Sequence, residues 1–201
     1  MRLGFIGQGY VGKNTADYFA SHRYDVVRYS LEHDYIHNKD KIRTCDVVFI
    51  AVPTPTTPEG FDYHIVEVSL TLVQKGKTAV IKSTLIPGTT QKLQKQFPDI
   101  IILVSPEFLC EATAAHDAVH PIFNIIGLPS QTNEHAQAAK TIMEILPRST
   151  HSFIISASAA ELFKYTHNIH GYMRVVFVRV RGLDALRQSS GRLGAWPMPT
   201  Q

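Results

Sequence analysis

Much of what this chain is not follows from what it lacks. Its 201 residues include two cysteines, Cys45 and Cys110, which form no CxxC pair. That argues against a disulfide-stapled scaffold or a cysteine zinc site and fits a reducing, cytoplasmic setting. The strongest apolar run, Val47-Val48-Phe49-Ile50-Ala51-Val52, is far too short to cross a bilayer, so no membrane partner is expected. The amino terminus enters a strand-like run at once, without a signal-peptide pattern. Charged residues make up 18% and the net charge is +3, too mild to imply a nucleic-acid partner. His116, His120, His151 and His167 fall at no metal-ligand spacing, so no metal site is expected. There is no internal repeat and no low-complexity tract.

What is present is a globular composition with 44% apolar residues, enough for a core that needs neither disulfide nor metal. The length fits one domain, or one domain plus a fragment. Short apolar runs alternate with longer amphipathic ones, which predicts an α/β fold: a Rossmann-type, doubly wound, mostly parallel sheet with flanking helices. Strands are expected over 2–6, 25–29, 47–52, 78–82, 100–104 and 124–127, with one more at 152–155. Helices are expected over 10–21, 62–74, 89–96 and 133–144. Ser158 reads as an N-cap, with Glu161 completing a capping box for a helix over 160–172.

From Arg179 onward there are four arginines, one aspartate, three glycines and two prolines without periodicity. That stretch reads as an irregular, disordered tail or a short broken helix. The expected division is a dinucleotide-binding domain over 1–157, the start of a long helix over 158–178, and a basic tail over 179–201.

Gly7-Gln8-Gly9-Tyr10-Val11-Gly12 matches GxGxxG between the first strand and the first helix. Gly7 permits the tight turn, Gly9 lets the backbone approach a pyrophosphate, and Gly12 lets the helix pack closely. The helix amino terminus then faces the phosphates. The acidic residue that bonds the adenine ribose in NAD sites is due at the end of the second strand, where Ser30 stands, with Glu32 two residues on. Ser30 can bond a ribose hydroxyl, whereas Arg28 or Arg2 can be read as partners of a 2′-phosphate or as solvated charges. NAD is the first choice of cofactor, and NADP stays open.

Three further segments close later strands: Val52-Pro53-Thr54-Pro55, Ser83-Thr84 with Ile86-Pro87-Gly88-Thr89-Thr90, and Ser105-Pro106-Glu107-Phe108-Leu109. All lie where open α/β sheets bind ligands. With the glycine loop and the run Ala160-Glu161-Leu162-Phe163-Lys164-Tyr165-Thr166-His167-Asn168, they resemble the UDP-glucose/GDP-mannose dehydrogenase family over about residues 1–178. That family oxidises the 6-hydroxymethyl group of a nucleotide sugar to a carboxylate, reducing two NAD in succession.

The resemblance implies catalytic positions at Thr84, Glu107, Lys164 and Asn168. Thr84 and Glu107 would hold or activate water, with Glu107 as general base. Lys164 and Asn168, spaced i,i+4, would stabilise the developing alkoxide. Glu111, Phe108 and Leu109 would border the nucleotide-sugar substrate. The cofactor would meet Gly7, Gly9, Tyr10, Val11, Gly12, Ser30, Val52, Pro53, Thr54 and Thr84. The bland alternatives are a solvated helix face for Lys164 and Asn168, a solvated turn for Glu107 and Glu111, and a cap at Thr84.

Two departures stand out: Ala112 follows Glu111 where the family has a glycine, and no arginine precedes the strand after His120-Pro121-Ile122-Phe123. The family's second oxidation uses a cysteine in a later glycine-flanked motif that nothing here matches, and Cys110 is not at that position. Residues 179–201 look like a truncation or a shifted reading frame, so little complete 6-dehydrogenation is expected from this chain. The family's homodimer would form along the long helix and is doubtful in so short a chain. The runner-up readings are a non-catalytic NAD-binding module and a 3-hydroxyacid-type dehydrogenase domain.

Overall fold

Seven strands pair into one sheet in a computed structural model that describes residues 1–189, with side chains described through residue 179. In chain order the elements are β1 (Arg2–Ile6), α1 (Tyr10–Ser21), β2 (Asp25–Tyr29), a 3-10 segment (Ile36–Thr44) and β3 (Val47–Ile50). A two-stranded hairpin of β4 (Thr56–Thr57) and β5 (Gly60–Phe61) precedes α2 (His64–Leu70). There follow β6 (Thr78–Ile81), α3 (Thr89–Gln96), β7 (Ile101–Val104), a short 3-10 turn (Glu111–Thr113) and α4 (Ala114–Val119). The series closes with β8 (Phe123–Leu128), α5 (Asn133–Ile145), β9 (His151–Ser156) and α6 (Ala157–Ser189). Two compact units result, Met1–Lys164 and Tyr165–Gln201.

Within the first unit the sheet order is β2-β1-β3-β6-β7-β8-β9. The five strands from β2 through β7 are parallel, and β8 pairs antiparallel to β7 through the single register Val104↔Gly127. Central strands such as Val47–Ile50 are buried at every residue because both faces of the sheet are covered. The two faces separate by alternation. Leu3, Phe5, Phe49 and Val80 pack against Phe19 of α1 and Ile142 of α5 on one side. Ile6, Val48, Ile50 and Ile81 pack against Leu70 of α2 and Leu93 of α3 on the other. Phe5 stacks on Phe49 at 5.0 Å between centroids, with Phe19 within 5.7 Å of both rings.

The sequence expectation of a mostly parallel, doubly wound sheet with flanking helices is met. The differences have local causes. The third strand leaves the ladder at Ile50, and the following chain runs into the small hairpin, so the helix expected from 62 is shortened to His64–Leu70. The reversal at β8 was not foreseen, because residue alternation carries no strand direction. What allows it is the connection from β7, which holds only the short α4 rather than a full crossover helix.

α6 is also assembled differently. Ser156, not Ser158, receives its first-turn N–H, from Ala159 at 3.4 Å, while Ser158 accepts from Gln91 Nε2 at 2.7 Å. Glu161 does not close a capping box. Its carboxylate accepts from Gly88 N at 2.6 Å, Thr90 N at 2.8 Å and Thr90 Oγ1 at 2.6 Å, at the amino end of α3. α3 begins after Gly88 in a left-handed conformation and has no side-chain cap from its own N-cap residue. The anion from α6 therefore satisfies donors that the α3 helix cannot satisfy itself. Gly127 makes room for this junction: a Cβ there would lie 2.6 Å from Val104 Cγ1 and 2.8 Å from Ala157 Cα.

In the second unit the helix continues to Ser189, past the composition boundary near Val178. The expectation from Arg179 is a disordered tail or a short broken helix, and the backbone is helical as far as Ser189. The rest of the expected tail, residues 190–201, lies outside the described residues. Among the described residues, no helix is long and apolar enough to cross a membrane.

Burial raises the Glu161 pKa above the usual carboxylate value of 4.5, against the lowering effect of its hydrogen bonds to Thr90 and Gly88. A raised folded-state pKa means that the fold holds the proton more tightly than the unfolded chain. Its contribution is full below about 4.5 and is lost as pH rises through the raised value. The stability difference between wild type and Glu161→Gln should therefore shrink as pH climbs from 4 to 7, measured by urea unfolding. A difference that grows over that range would refute the assignment.

Candidate active site

The sheet order reverses between β1 and β3, the place where open α/β sheets form a crevice at their carboxyl ends. A cleft of about 880 Å³ opens there, within the size range of small-ligand sites. One end is built by the glycine loop. Gly7 sits at φ +90, and a Cβ on it would collide with the Ala51 carbonyl oxygen of the β3 end. A Cβ on Gly12 would collide in turn with the Gly7 carbonyl oxygen, so the first turn of α1 can approach the loop only as glycine. Gly9 is the N-cap of α1, and a Cβ there would meet nothing within 4 Å. The fold itself does not require glycine at position 9, whereas a ligand backed against the helix terminus does. Beside it, Gln8 is 6% exposed, and its Oε1 has no hydrogen-bond partner among the described residues, an unmet acceptor lining the cleft.

The other strand ends are tied together across the crevice. Ser83 Oγ accepts from Val52 N at 3.0 Å and donates to Val52 O at 2.7 Å, and Thr54 Oγ1 donates to Thr84 O at 2.7 Å. These bonds hold the β3 and β6 loops side by side. Lys82 then reaches across from β6 to the β7 loop: its Nζ lies 2.9 Å from Glu107 Oε2 and donates to Ser105 Oγ at 3.4 Å. The Lys82 side chain is 5% exposed and that of Glu107 17%. Lys164, from the first turns of α6, sits with Nζ 5.3 Å from the centre of the Phe108 ring. Burial lowers the Lys164 pKa, partly opposed by the Glu107 charge. Phe108 itself packs edge-on to Phe123 and Phe163, at 5.7 and 5.6 Å.

Most of the positions singled out from sequence converge on this cleft. Gly7, Gly9, Tyr10, Val11, Ser30, Val52, Pro53, Thr54, Thr84, Glu107, Leu109 and Lys164 all line it. Gly12 lies behind it as a packing position, and Phe108 supports Lys164 from the side. Glu111 is exposed in its 3-10 turn and does not line the cleft. Asn168 is exposed and belongs to the second unit. Thr84 does not cap α3, whose amino end is met by Glu161.

Sequence reasoning missed Lys82. A lysine two residues before Thr84 at a strand end carries little signal alone, although its place inside a buried strand run marks a charge that needs a partner. It also missed Lys39, which lines the cleft from the 3-10 segment. Arg28 and Arg2 are accounted for elsewhere. Arg28 Nη1 pairs with Asp17 at 2.7 Å, and Arg2 pairs with Asp25 at 3.2 Å at the opposite edge of the sheet. Cys45 is buried and its thiol is pushed up to about 11, while Cys110 is exposed. Among the described residues, no group of three or more His, Cys, Asp or Glu could hold a metal ion.

A glycine-cradled helix terminus at a sheet switch point, beside a lysine–carboxylate cluster, defines a dinucleotide-binding dehydrogenase domain. Residues 33–146 match the NAD binding domain of the UDP-glucose/GDP-mannose dehydrogenase family, and the chain belongs to that family of NAD-dependent sugar-nucleotide dehydrogenases.

The UDP-glucose 6-dehydrogenase AglM of Haloferax volcanii is 28% identical, the match taking in 84% of this chain and 50% of that protein. YtcA of Bacillus subtilis is 30% identical over 70% of this chain and 35% of its own length. The chain thus spans between a third and about half of the relatives it matches. The fold resembles that of a GDP-mannose dehydrogenase from Pseudomonas aeruginosa, with a TM-score of 0.73 and 21% identity over 89% of this chain and 52% of that one. It also resembles a UDP-D-ManNAc dehydrogenase from Pyrococcus horikoshii, with a TM-score of 0.74 and 23% identity over 84% of this chain and 50% of that one.

The Lys82–Glu107 pair supplies a direct test of how the cleft is held. Lys82→Met leaves a largely buried carboxylate without its partner and should cost roughly 3 kcal/mol in urea unfolding. Adding Glu107→Leu should recover most of that loss. Equal destabilisation by the single and double variants would show that the pair is not coupled.

Proposed function

We propose that this chain is the NAD-binding portion of a nucleotide-sugar 6-dehydrogenase. In the complete enzyme, UDP-glucose, two NAD and water give UDP-glucuronate. The observation that carries the reading is the meeting, in one cleft, of a glycine cradle and the Lys82–Glu107 pair with Lys164 beside it. The substrate's uracil nucleotide rests on the family's chemistry and on relatives named UDP-glucose 6-dehydrogenase, beside GDP-mannose 6-dehydrogenases of similar identity. A setting in the cytoplasm fits a nucleotide-sugar substrate.

The residues present fit a dinucleotide. The loop amides and the α1 terminus receive the pyrophosphate, Gly9 leaves it room, and Gln8 Oε1 is an acceptor awaiting a donor. Bound NAD supplies a hydride acceptor for the C–H bond being oxidised. Lys164, held against Phe108 with its pKa lowered by burial, donates a hydrogen bond to the sugar oxygen as it gains negative charge. Asn168 is assigned to the same oxygen by the family pattern alone. Glu107 accepts a proton from the water that attacks the oxidised carbon, and Lys82 holds this carboxylate in place for it. Thr84 lines the same cleft and is assigned to positioning the water. Glu111 is proposed as a further substrate contact by family pattern. Neither cysteine occupies the nucleophile position, so the second oxidation is not assigned to these residues.

Helix α6 exposes Ile169, Met173, Val176 and Phe177 on one face within the second unit, an apolar surface to which we assign the family's homodimer. Sedimentation of the purified chain should show a dimer that Ile169→Glu with Phe177→Glu dissociates; a monomer at all concentrations would remove the assignment.

Gly9 gives the sharpest test of the cofactor site. Gly9→Val should leave the melting temperature within a few degrees, since its Cβ meets nothing. It should nonetheless weaken NADH binding by about a hundredfold or more, because the branched side chain occupies the pyrophosphate position. Saturable NADH binding with unchanged affinity in Gly9→Val would overturn the reading.

A further inference from the structure

The ribose end of the cleft differs from a site built to demand NAD. In such sites a carboxylate at the end of the second strand accepts from the ribose 2′-hydroxyl, and the same charge repels a 2′-phosphate. Here that position is Ser30, which is half-buried and lines the cleft with Leu31, Glu32 and Lys39. Ser30 Oγ accepts from Glu32 N at 3.2 Å, which leaves its own O–H available to donate to a ligand.

Lys39 is held at this end by its neighbours. Asn38 Nδ2 donates to the Arg28 carbonyl at 3.0 Å, fixing the 3-10 segment to the end of β2. Tyr35 N and Ile36 N both donate to Glu32 O at 3.0 Å, so the connecting turn is closed. Among the described residues Lys39 has no carboxylate within ion-pair distance, unlike Arg28 on Asp17 and Arg2 on Asp25. Lys39 is exposed and shares the cleft with the exposed Glu32, while Asp34, Asp40, Lys41 and Arg43 are its charged neighbours in sequence. Glu32 favours a free 2′-hydroxyl, so it retains NAD rather than making the site exclusive for the phosphorylated form.

We propose that this cleft accepts NADP(H) as well as NAD(H), with Ser30 removing the charge barrier to a 2′-phosphate and Lys39 supplying its cation. The inference rests on the cofactor reading above and extends it to a ligand that reading does not name. A lysine is a sufficient point charge for a phosphate ester, and a hydroxyl donor in the same cleft adds a charge-assisted hydrogen bond.

The test is titration of the purified chain with NADH and with NADPH, followed by fluorescence, in wild type, Ser30→Asp and Lys39→Ala, with melting curves to show that each variant folds. Wild type should bind both cofactors with affinities within about tenfold of each other. Ser30→Asp and Lys39→Ala should each raise the NADPH-to-NADH ratio of dissociation constants by about tenfold or more, the loss expected for one hydrogen bond to a charged group. Saturation by NADH with no detectable NADPH binding overturns the proposal and leaves the NAD reading standing. So does a ratio unchanged in both folded variants. Binding of neither cofactor overturns both.

Discussion

The contact on which the site depends is between backbone and backbone. The loop after β1 lies so close to the end of β3 that only glycine fits at Gly7, and α1 lies so close to that loop that only glycine fits at Gly12. These two approaches aim the amino end of α1 into the gap left where the sheet order reverses. Once that gap exists, the later strand ends have a common edge to face. The bonds of Ser83 to Val52, of Thr54 to Thr84, and of Lys82 to Glu107 then draw three loops into one wall. The buried ion pair is a poor source of net stability, because desolvating two charges offsets most of their attraction. Its value is positional, since it joins a strand end to the carboxylate to which the proposed chemistry assigns proton transfer.

Legibility from sequence followed the range of the interaction. The glycine loop, the buried parallel strands and the order of motifs were visible because each is local and periodic. The loops that close strands could be placed on one edge because parallel strands all end on the same side. Lys82 could not be matched to Glu107, since 25 residues separate them and a lone lysine has no spacing rule. Glu161 was matched to the wrong partner: the local rule offered Ser158, whereas the fold offered the bare amide groups of α3. Direction was hidden as well. β8 carries the same apolar pattern either way, and only the short connection before it decides that it runs antiparallel.

The helix at the carboxyl side was legible only as one of two alternatives. Aperiodic composition from Arg179 left a disordered tail or a short broken helix open, and the described backbone is helical to Ser189. Amphipathic period reports a face to be buried, not the helix itself, and a helix with little to bury can persist without one. Leu183, Ala185, Leu186 and Arg187 are all good helix formers.

The bridge made by Glu161 has a kinetic side. One carboxylate both belongs to the opening turns of α6 and closes the amino end of α3, so neither end can open without stripping hydrogen bonds from the other. The amides of Gly88 and Thr90 are therefore exchange-protected by a residue more than seventy positions away. α3 and the start of α6 form a single opening unit, in which hydrogen exchange at one reports the fraying of the other.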